Sequence, residues 1–283
     1  YMESMSAKQG YAVCGGLDAS RLQFSRDNWM RGGFYVRQVQ FVSLSRGQIQ
    51  QDKNIGKLYS QGAGLAHFLM DAQDGKYRTA FGAYLDQVYA GNDTANSLSQ
   101  VTGVLFPQLD QQYADWLRVT DDDLAKCPLD PMIRNLCLNQ TRVTAAGIKR
   151  FPAFSQLEWA DFSQLPLDDQ EASRILVSPK LRQLSLEKTP VGDAFAPALA
   201  KLTALDELDL SETKFTDAGL AQLAGLKKLK TLWMTGTKIS DASIPVLSGF
   251  KDLEVLELDG TAITAKGIAN LRAALPKWKE KKQ

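Results

Sequence analysis

The sequence has little of the chemistry on which catalytic and metal sites most often depend. Its 283 residues include one histidine, His67, and three cysteines, Cys14, Cys127 and Cys137. A zinc site needs several closely spaced Cys, His or carboxylate ligands, and three scattered cysteines cannot form a disulfide framework. We therefore expect unpaired cysteines, and no catalytic residue, metal ligand or cofactor within this chain.

Charge of one sign and long apolar stretches are also missing. Lys and Arg number 33 and Asp and Glu number 32, so the formal net charge is only +1. Such a balance excludes a strong electrostatic attraction to nucleic acid or to a membrane surface. No stretch of about 18 apolar residues is present, so a membrane-spanning helix is not expected. The chain starts at Tyr1 without a signal peptide. We interpret this start as lying inside a longer protein, so the compartment cannot be predicted from a targeting signal in this sequence.

The main feature that is present is a repeat of 24 residues, which runs through six copies between Ile133 and Ile268. One apolar column reads Leu136, Ala160, Leu184, Leu208, Leu232 and Leu256, and the column two residues later reads Leu138, Phe162, Leu186, Leu210, Met234 and Leu258. A third column reads Thr141, Leu165, Thr189, Thr213, Thr237 and Thr261. Chance would not keep these columns in register over six copies, so the period indicates a repeat protein.

Each copy predicts a short strand followed by a short helix. The two Leu columns alternate with other residues, as in a strand with one buried face. The Thr column follows the strand. Since a buried hydroxyl needs a partner, we expect its hydroxyls to bond the backbone, except where Leu165 stands. Next comes Ser or Thr followed by Asp, as at Thr216-Asp217, which is typical of a helix start.

The resulting motif, L-x-x-L-x-L-x-x-T-x-I, resembles the leucine-rich repeat. Its T-x-[IV]-[TS]-D-A-G-L continuation is similar to repeats common in bacterial, planctomycete-type proteins. The resemblance implies an α/β fold for residues 119–283: a right-handed solenoid with parallel strands on one side and short helices on the other. We interpret residues 119–128 as a half repeat that caps the six full repeats, and the Lys-rich residues 276–283 as a solvated tail.

Residues 1–118 are predicted as a separate, mainly helical domain. Apolar residues recur at helical spacing in stretches that we interpret as four helices between residues 57 and 118. Pro107 is expected to open the last of these helices. Residues 1–30 show no clear period, and an extended segment is expected at Phe34 to Leu44.

The helical stretches also carry a motif. It consists of Tyr59, Gln61-Gly62, Leu65, Phe68-Leu69, Gly75, Tyr84-Leu85, Tyr113, Trp116 and Leu117. This pattern resembles the C-terminal half of gluzincin-type, peptidase-MA-like zinc metallopeptidases. In that family an upstream H-E-x-x-H and a later Glu hold the zinc, and this chain has no H-E-x-x-H. Tyr1-Met2-Glu3-Ser4 is similar to the residues that follow the third ligand. The resemblance therefore implies that zinc would belong only to an upstream half of the domain.

One residue of this motif is a candidate catalytic residue. Gluzincins often use a tyrosine hydroxyl to stabilise the oxyanion, and Tyr59 corresponds to that position; packing within a helix is the alternative. His67 has apolar helical neighbours, which favours a hydrogen-bonded helix residue over a metal ligand. Gly62 and Gly64 do not predict a phosphate loop, because no strand precedes them and no G-K-[ST] follows.

A partner-binding face is predicted on the repeat strands. Residues beside each buried Leu pair should point outward onto the concave face of the solenoid, which is an extended docking surface. The outward columns contain six acids, two tryptophans and no base: Trp159, Asp161, Glu187, Glu207, Asp209, Trp233, Glu257 and Asp259. Trp159 and Trp233 stand three repeats apart, or roughly 15 Å at the usual strand spacing. We expect these residues to contact a protein or peptide; the alternative is that strands simply carry polar residues outward.

Two functions remain open from the sequence. The favoured interpretation is an interaction module whose repeats bind a protein or peptide, with no catalytic residues of its own. The alternative is the C-terminal portion of a zinc metallopeptidase whose H-E-x-x-H half lies upstream and whose repeats recruit substrate. An H-E-x-x-H motif encoded upstream of Tyr1 would distinguish the second from the first.

Overall fold

The computed structural model of the chain describes residues 6–8, 11–13 and 19–279. The chain divides into two compact units, Tyr1–Val119 and Thr120–Gln283, one residue after the predicted boundary. We refer to them as the helical unit and the repeat unit. The expectations for Tyr1-Met2-Glu3-Ser4 and for Cys14 lie outside the described residues.

The helical unit contains a small antiparallel sheet followed by helices. Its described elements are β1 (Ser6–Lys8), β2 (Tyr11–Val13), α1 (Ser20–Met30), α2 (Gln38–Phe41), α3 (Arg46–Gln51), α4 (Ile55–Gly75), α5 (Arg78–Tyr89), α6 (Ser97–Thr102) and α7 (Phe106–Leu117). Helices α4 to α7 occupy the region where four helices are predicted, and Pro107 lies in the first turn of α7. The extended segment expected at Phe34 to Leu44 is wrong in its middle, because α2 lies there.

Helix α1 has no apolar stripe, because polar side chains occupy much of its buried face. Its buried residues are Leu22, Gln23, Ser25 and Arg26. The Arg26 guanidinium donates to the backbone oxygen of Leu117 and to Gln23 Oε1, both at 2.8 Å. The Ser25 hydroxyl lies 2.6 Å from that of Tyr113. Buried polar groups are stable only with such partners, and most of these partners come from α7, so local periodicity does not reveal α1.

The predicted apolar stripe of α4 forms the centre of the helical unit. Leu65, Phe68 and Leu69 are buried there together with Tyr113 of α7. Gly64 lies where α4 meets the Tyr113 hydroxyl, and a Cβ at this position would overlap that hydroxyl. The glycine is therefore required for close packing of helices.

The repeat unit is built on a six-stranded parallel sheet whose strands follow chain order. The strands are β3 (Asn135–Cys137), β4 (Trp159–Asp161), β5 (Gln183–Ser185), β6 (Glu207–Asp209), β7 (Thr231–Trp233) and β8 (Val255–Glu257). Helix α8 (Asp121–Lys126) precedes the first strand and α14 (Ala265–Ala274) follows the last. The connections between strands contain α9 (Ala145–Ile148), α10 (Asp169–Ile175), α11 (Ala196–Leu199), α12 (Asp217–Gln222), α13 (Ile244–Leu247) and the 3-10 helices Asp193–Phe195, Leu223–Gly225 and Asp241–Ser243. Each strand pairs with the next at a register of 24 residues, as in Leu184 beside Leu208. The chain therefore has a leucine-rich repeat α/β fold.

The two Leu columns and the Thr column form the interior next to the sheet. Leu208 and Leu210 have no exposed surface, as predicted. The predicted Thr ladder is confirmed, because each Thr hydroxyl donates to the backbone oxygen three residues earlier. Its bonds join Thr141 to Leu138, Thr189 to Leu186, Thr213 to Leu210, Thr237 to Met234 and Thr261 to Leu258, at 2.6–2.7 Å. Leu165 interrupts the ladder and is buried.

A second ladder joins four pairs of neighbouring repeats through aspartate. The Thr216 hydroxyl caps α12 by accepting from Ala218 N, as expected for a helix start. Thr216 also donates its own N–H and hydroxyl to the Asp193 carboxylate of the preceding repeat, at 2.8 and 2.5 Å. The same pair of bonds joins Asp121 to Thr144, Asp217 to Ser240 and Asp241 to Thr264. The aspartates therefore tie adjacent repeats together, a role that the helix-start motif alone does not predict.

These aspartate bonds make stability depend on pH in acid. The backbone N–H and the hydroxyl of Thr264 lower the pKa of Asp241, and bonds from the Thr144 hydroxyl and N–H lower that of Asp121. A lowered pKa gives stabilisation that is complete above the unfolded-state pKa, near 3.9, and that is lost as pH falls through the folded-state pKa.

We expect the urea midpoint of unfolding to decrease between about pH 6 and about pH 3, and to decrease less in Asp241→Asn than in the wild type. The change removes the titrating group while keeping one acceptor oxygen for Thr264. Urea titrations at the two pH values measure the difference. An equal decrease in both proteins would contradict a contribution from this carboxylate.

The Lys-rich tail is largely exposed as far as it is described, as predicted, but it is also bonded to the last repeat. The backbone N–H of Lys279 donates to the oxygen of Glu254 at 3.0 Å, and Lys277 Nζ donates to Asp252 at 2.6 Å. The equivalent bond one repeat earlier runs from Glu254 N to Lys230 O. The backbone of the tail therefore continues the hydrogen-bond pattern that joins neighbouring repeats at this edge of the sheet.

Among the described residues, no helix is long and apolar enough to cross a membrane.

Candidate binding face of the sheet

Two acidic residues of the predicted binding face are not exposed. Asp161 and Asp209 are buried, so their predicted exposure is wrong. Each carboxylate turns onto its own chain and accepts the backbone N–H two residues later, from Ser163 and Ser211 at 2.9 Å. This local bond is typical of aspartate at the end of a strand. The two residues therefore shape the turn that follows the strand, and they are withdrawn from the contact surface.

The remaining acids of the middle strands have partners of their own. Lys188 Nζ lies 2.9 Å from Glu187 and 3.4 Å from Glu212, and these contacts raise the pKa of Lys188. Lys188 is one residue beyond the outward column, so counting within the columns misses this base. Gln183 donates to Glu207 Oε1 at 3.0 Å, which leaves the charge of Glu207 in place.

The last two strands form the open part of the sheet, which we call the β7–β8 face. Its residues are Thr231, Trp233, Thr235, Val255, Glu257 and Asp259; five are partly exposed and Asp259 is exposed. Trp233 is the Cα partner of Asp209 on one side and of Glu257 on the other. Since Asp209 is withdrawn, Glu257 is the strand neighbour that places negative charge beside the indole, and this combination suits a cationic group next to an apolar one.

Trp159 lies at the other end of the predicted surface. It stands on β4, three strands from Trp233, in the column that continues through Gln183, Glu207 and Thr231. Trp159 is partly exposed. The register therefore places the two indoles as predicted, in neighbouring columns at opposite ends of four adjacent strands.

The catalytic candidate of the helical unit lies on a groove. Tyr59 is 47% exposed, and the Arg21 guanidinium lies 5.9 Å from its ring centre. Both residues line a cleft of about 320 Å³ with Phe41, Ile49 and Leu58. No reacting group adjoins the Tyr59 hydroxyl in that lining, so a catalytic role remains a prediction.

His67 lies within α4, as predicted, whereas the expected exposure of Cys137, in an outward column of β3, is wrong because the residue is buried. His67 is buried, with Nδ1 3.5 Å from an Asp71 oxygen one helical turn later. Cys127 is partly exposed and Cys137 is buried, and neither forms a disulfide among the described residues.

Comparison with known proteins gives likeness of fold only. No known family and no curated protein matches the chain. An internalin C2 from Listeria monocytogenes is 22% identical over 52% of this chain and 59% of its own, with a TM-score of 0.41. The ectodomain of the plant receptor kinase GASSHO1/SCHENGEN3 from Arabidopsis thaliana, solved in complex with CASPARIAN STRIP INTEGRITY FACTOR 2, is 20% identical over 50% of this chain and 17% of its own, with a TM-score of 0.37. The actin-binding site 2 of leiomodin-1 is 16% identical over 52% of this chain and 82% of its own, with a TM-score of 0.35. The chain thus spans about three fifths of the first and a sixth of the second.

Proposed function

We propose that the repeat unit is a protein- or peptide-binding module, a right-handed solenoid whose sheet face is concave and receives an extended segment of the partner. The observation that carries this proposal is Trp233, a large aromatic side chain left partly open on the β7–β8 face. Aromatic residues of this kind supply much of the binding energy of protein interfaces, and parallel repeats present them on a continuous surface.

The charge of this face defines the kind of segment that fits. Asp161 on β4 and Asp209 on β6 are buried, and Glu187 after β5 is paired with Lys188. The carboxylates on the side of Trp233 are the partly exposed Glu207 and Glu257, on β6 and β8, and the exposed Asp259 after β8. A Lys or Arg of the partner would lie among these carboxylates, and an aromatic or aliphatic side chain would pack on the indole. Trp159 is the proposed second anchor, at the far end of the extended segment.

A peptide selection tests this proposal without a known partner. Random peptides displayed on phage are selected on the immobilised chain, and enriched peptides are synthesised and titrated. We expect them to share a Lys or Arg beside an apolar residue. Trp233→Ala should weaken their binding by about 2 kcal/mol, or roughly thirtyfold, because truncation removes an aromatic anchor.

Two variants make the result specific to the β7–β8 face. Tyr89→Ala removes an aromatic side chain that is 87% exposed in the helical unit, and it should leave binding unchanged. Asp259→Asn should mainly reduce the salt dependence of binding, because exposed charges act over long range and are screened. Peptides that bind wild type and Trp233→Ala equally, with folding intact, would overturn the proposal.

A further inference from the structure

A different surface of the repeat unit carries unbalanced positive charge. It lies at the edge of the sheet where the chain enters each strand. The residue before each strand alternates in sign along this edge: Arg134, Glu158, Arg182, Asp206, Lys230 and Glu254. Since the strands follow one another at a register of 24 residues, each acid in this row has a base on at least one side.

Most cations of this edge have an acidic partner. Arg134 lies 3.8 Å from Glu158, and the Arg182 Nε donates to Asp206 Oδ2 at 2.9 Å. At the end of the row, Lys277 binds Asp252 at 2.6 Å and Lys279 lies 3.6 Å from Glu254. These pairs are the ordinary arrangement of a charged, solvated edge.

Three lysines depart from this arrangement, and they meet at one cleft. Lys180 donates to the neutral amide of Gln156 at 2.6 Å. The ammonium groups of Lys228 and Lys230 form no hydrogen bond or close ion pair with any described residue. All three line a cleft of about 340 Å³. With Arg182, four cations line the cleft against two carboxylates, and this excess of positive charge favours an anionic ligand.

The cleft owes its shape to a small residue. The column two residues before the alternating row places Ala204 between Lys180 and Lys228, and Ala204 also lines the cleft. Two repeat spacings separate the lysines, or about 10 Å at the usual strand distance of about 4.8 Å. The short Ala204 side chain leaves that interval open, whereas a longer one would fill it.

Two carboxylates, those of Asp206 and Asp252, also line the cleft. Asp206 is paired with Arg182 and Asp252 with Lys277; the bond to Lys277 is the main cause that lowers the pKa of Asp252, and the charge of Lys230 contributes. Two acids do not balance the four cations of the lining, so an excess of positive charge remains. Lysine ammonium groups bind phosphoryl oxygens as point charges, and several lysines that line one cleft favour a multivalent anion over a single carboxylate.

We propose that this cleft binds the phosphoryl or sulfuryl dianion of a small molecule, held by Lys180, Lys228 and Lys230. The site is independent of the β7–β8 face, and its ligand differs in charge from the cationic segment proposed there. Loss of one activity therefore leaves the other to be measured in the same protein.

Isothermal titration of the full chain with sodium pyrophosphate, at constant ionic strength, tests the site. We expect saturable binding of one anion, and at least about tenfold weaker binding in Lys228→Gln/Lys230→Gln, because charge-assisted hydrogen bonds are lost. The matched control is Lys149→Gln/Lys266→Gln, which removes the same charge from exposed positions outside the cleft. Equal weakening in both double variants would mean diffuse attraction and would overturn the site.

A variant that leaves the charge unchanged tests whether binding depends on the open shape of the cleft as well as on its lysines. Ala204→Leu should weaken pyrophosphate binding as strongly as the lysine pair does, since it fills the interval between Lys180 and Lys228. Wild-type affinity in Ala204→Leu would overturn the proposal, as would the absence of any pyrophosphate binding tighter than about 1 mM in the wild type. Titration with sodium sulfate distinguishes the two sources: equal affinity indicates a site for either dianion, and weaker sulfate binding indicates a phosphoryl site.

Discussion

Replacing Leu208 with Ala is expected to lower the free energy of unfolding of the repeat unit by about 2–5 kcal/mol. Leu208 lies on β6 with strands paired on both sides and has no exposed surface. The truncation removes apolar contacts and leaves a cavity that stacked neighbours cannot close, because their positions are fixed by the backbone ladder. Urea unfolding of wild type and variant, followed by far-UV circular dichroism, gives the difference.

The matched change in the same repeat is Thr213→Leu. It removes one hydrogen bond to the Leu210 oxygen, a loss of about 1 kcal/mol, and introduces the residue that position 165 already has in this column. We therefore expect Leu208→Ala to be the more damaging of the two. A larger effect from Thr213→Leu would mean that the interior beside β6 is not packed as described.

Replacing Gly219 with Ala is expected to cost roughly 2–4 kcal/mol, although Ala normally favours a helix over Gly. Gly219 lies in the first turn of α12, and a Cβ there would overlap the Asp193 carboxylate. That carboxylate cannot move away without losing its two bonds to Thr216, and hydrogen bonds to a charged group contribute about 1.5–3 kcal/mol each. Gly147 and Gly267 lie against Asp121 and Asp241 in the same way.

Two variants isolate the cause of this loss. Gly225→Ala places a Cβ where no atom lies within 4 Å, so stability should change little. In an Asp193→Ala background the obstructing carboxylate is absent, and Gly219→Ala should then cost much less than in the wild type. The urea midpoints of the wild type, Asp193→Ala, Gly219→Ala and the double variant form a double-mutant cycle. Additive effects of Asp193→Ala and Gly219→Ala would exclude the proposed clash.

The strands and their register could be predicted because the 24-residue period records them directly. One face of each strand is apolar in every copy, and the Thr column fixes the turn that follows, so a single repeat defines the other five. The peptide-binding role stays a prediction, because it depends on which outward side chains remain open. The alternation of residues along a strand predicts which side chains point outward, but it does not predict how far each of them is buried.

The errors at Asp161, Asp209 and helix α1 have a common physical origin, which is the pairing of polar groups. Asp161 and Asp209 look like surface acids in the pattern, but each accepts a backbone N–H in its own turn. Helix α1 shows no apolar period because its buried Arg26 is satisfied in part by the Leu117 oxygen, 91 residues away in the sequence. Hydrophobic periodicity detects apolar burial only, so polar residues that become buried through a partner escape it.

The aspartate ladder has a consequence for how such a chain grows. A repeat that has Ser or Thr before Asp can bond to both of its neighbours. The N–H and hydroxyl of its Ser or Thr donate to the carboxylate of the repeat before it, and its own Asp carboxylate accepts the same two bonds from the repeat after it. A duplicated copy of such a repeat would therefore fit at either side of its parent with both joints intact. Ala stands in place of Asp at Ala145, where the next helix starts with the carboxylate of Asp168, and at Ala265 in the last repeat. A gene that lengthens by whole 24-residue units thus keeps its inter-repeat bonds, while insertion of any other length would separate each carboxylate from its donor.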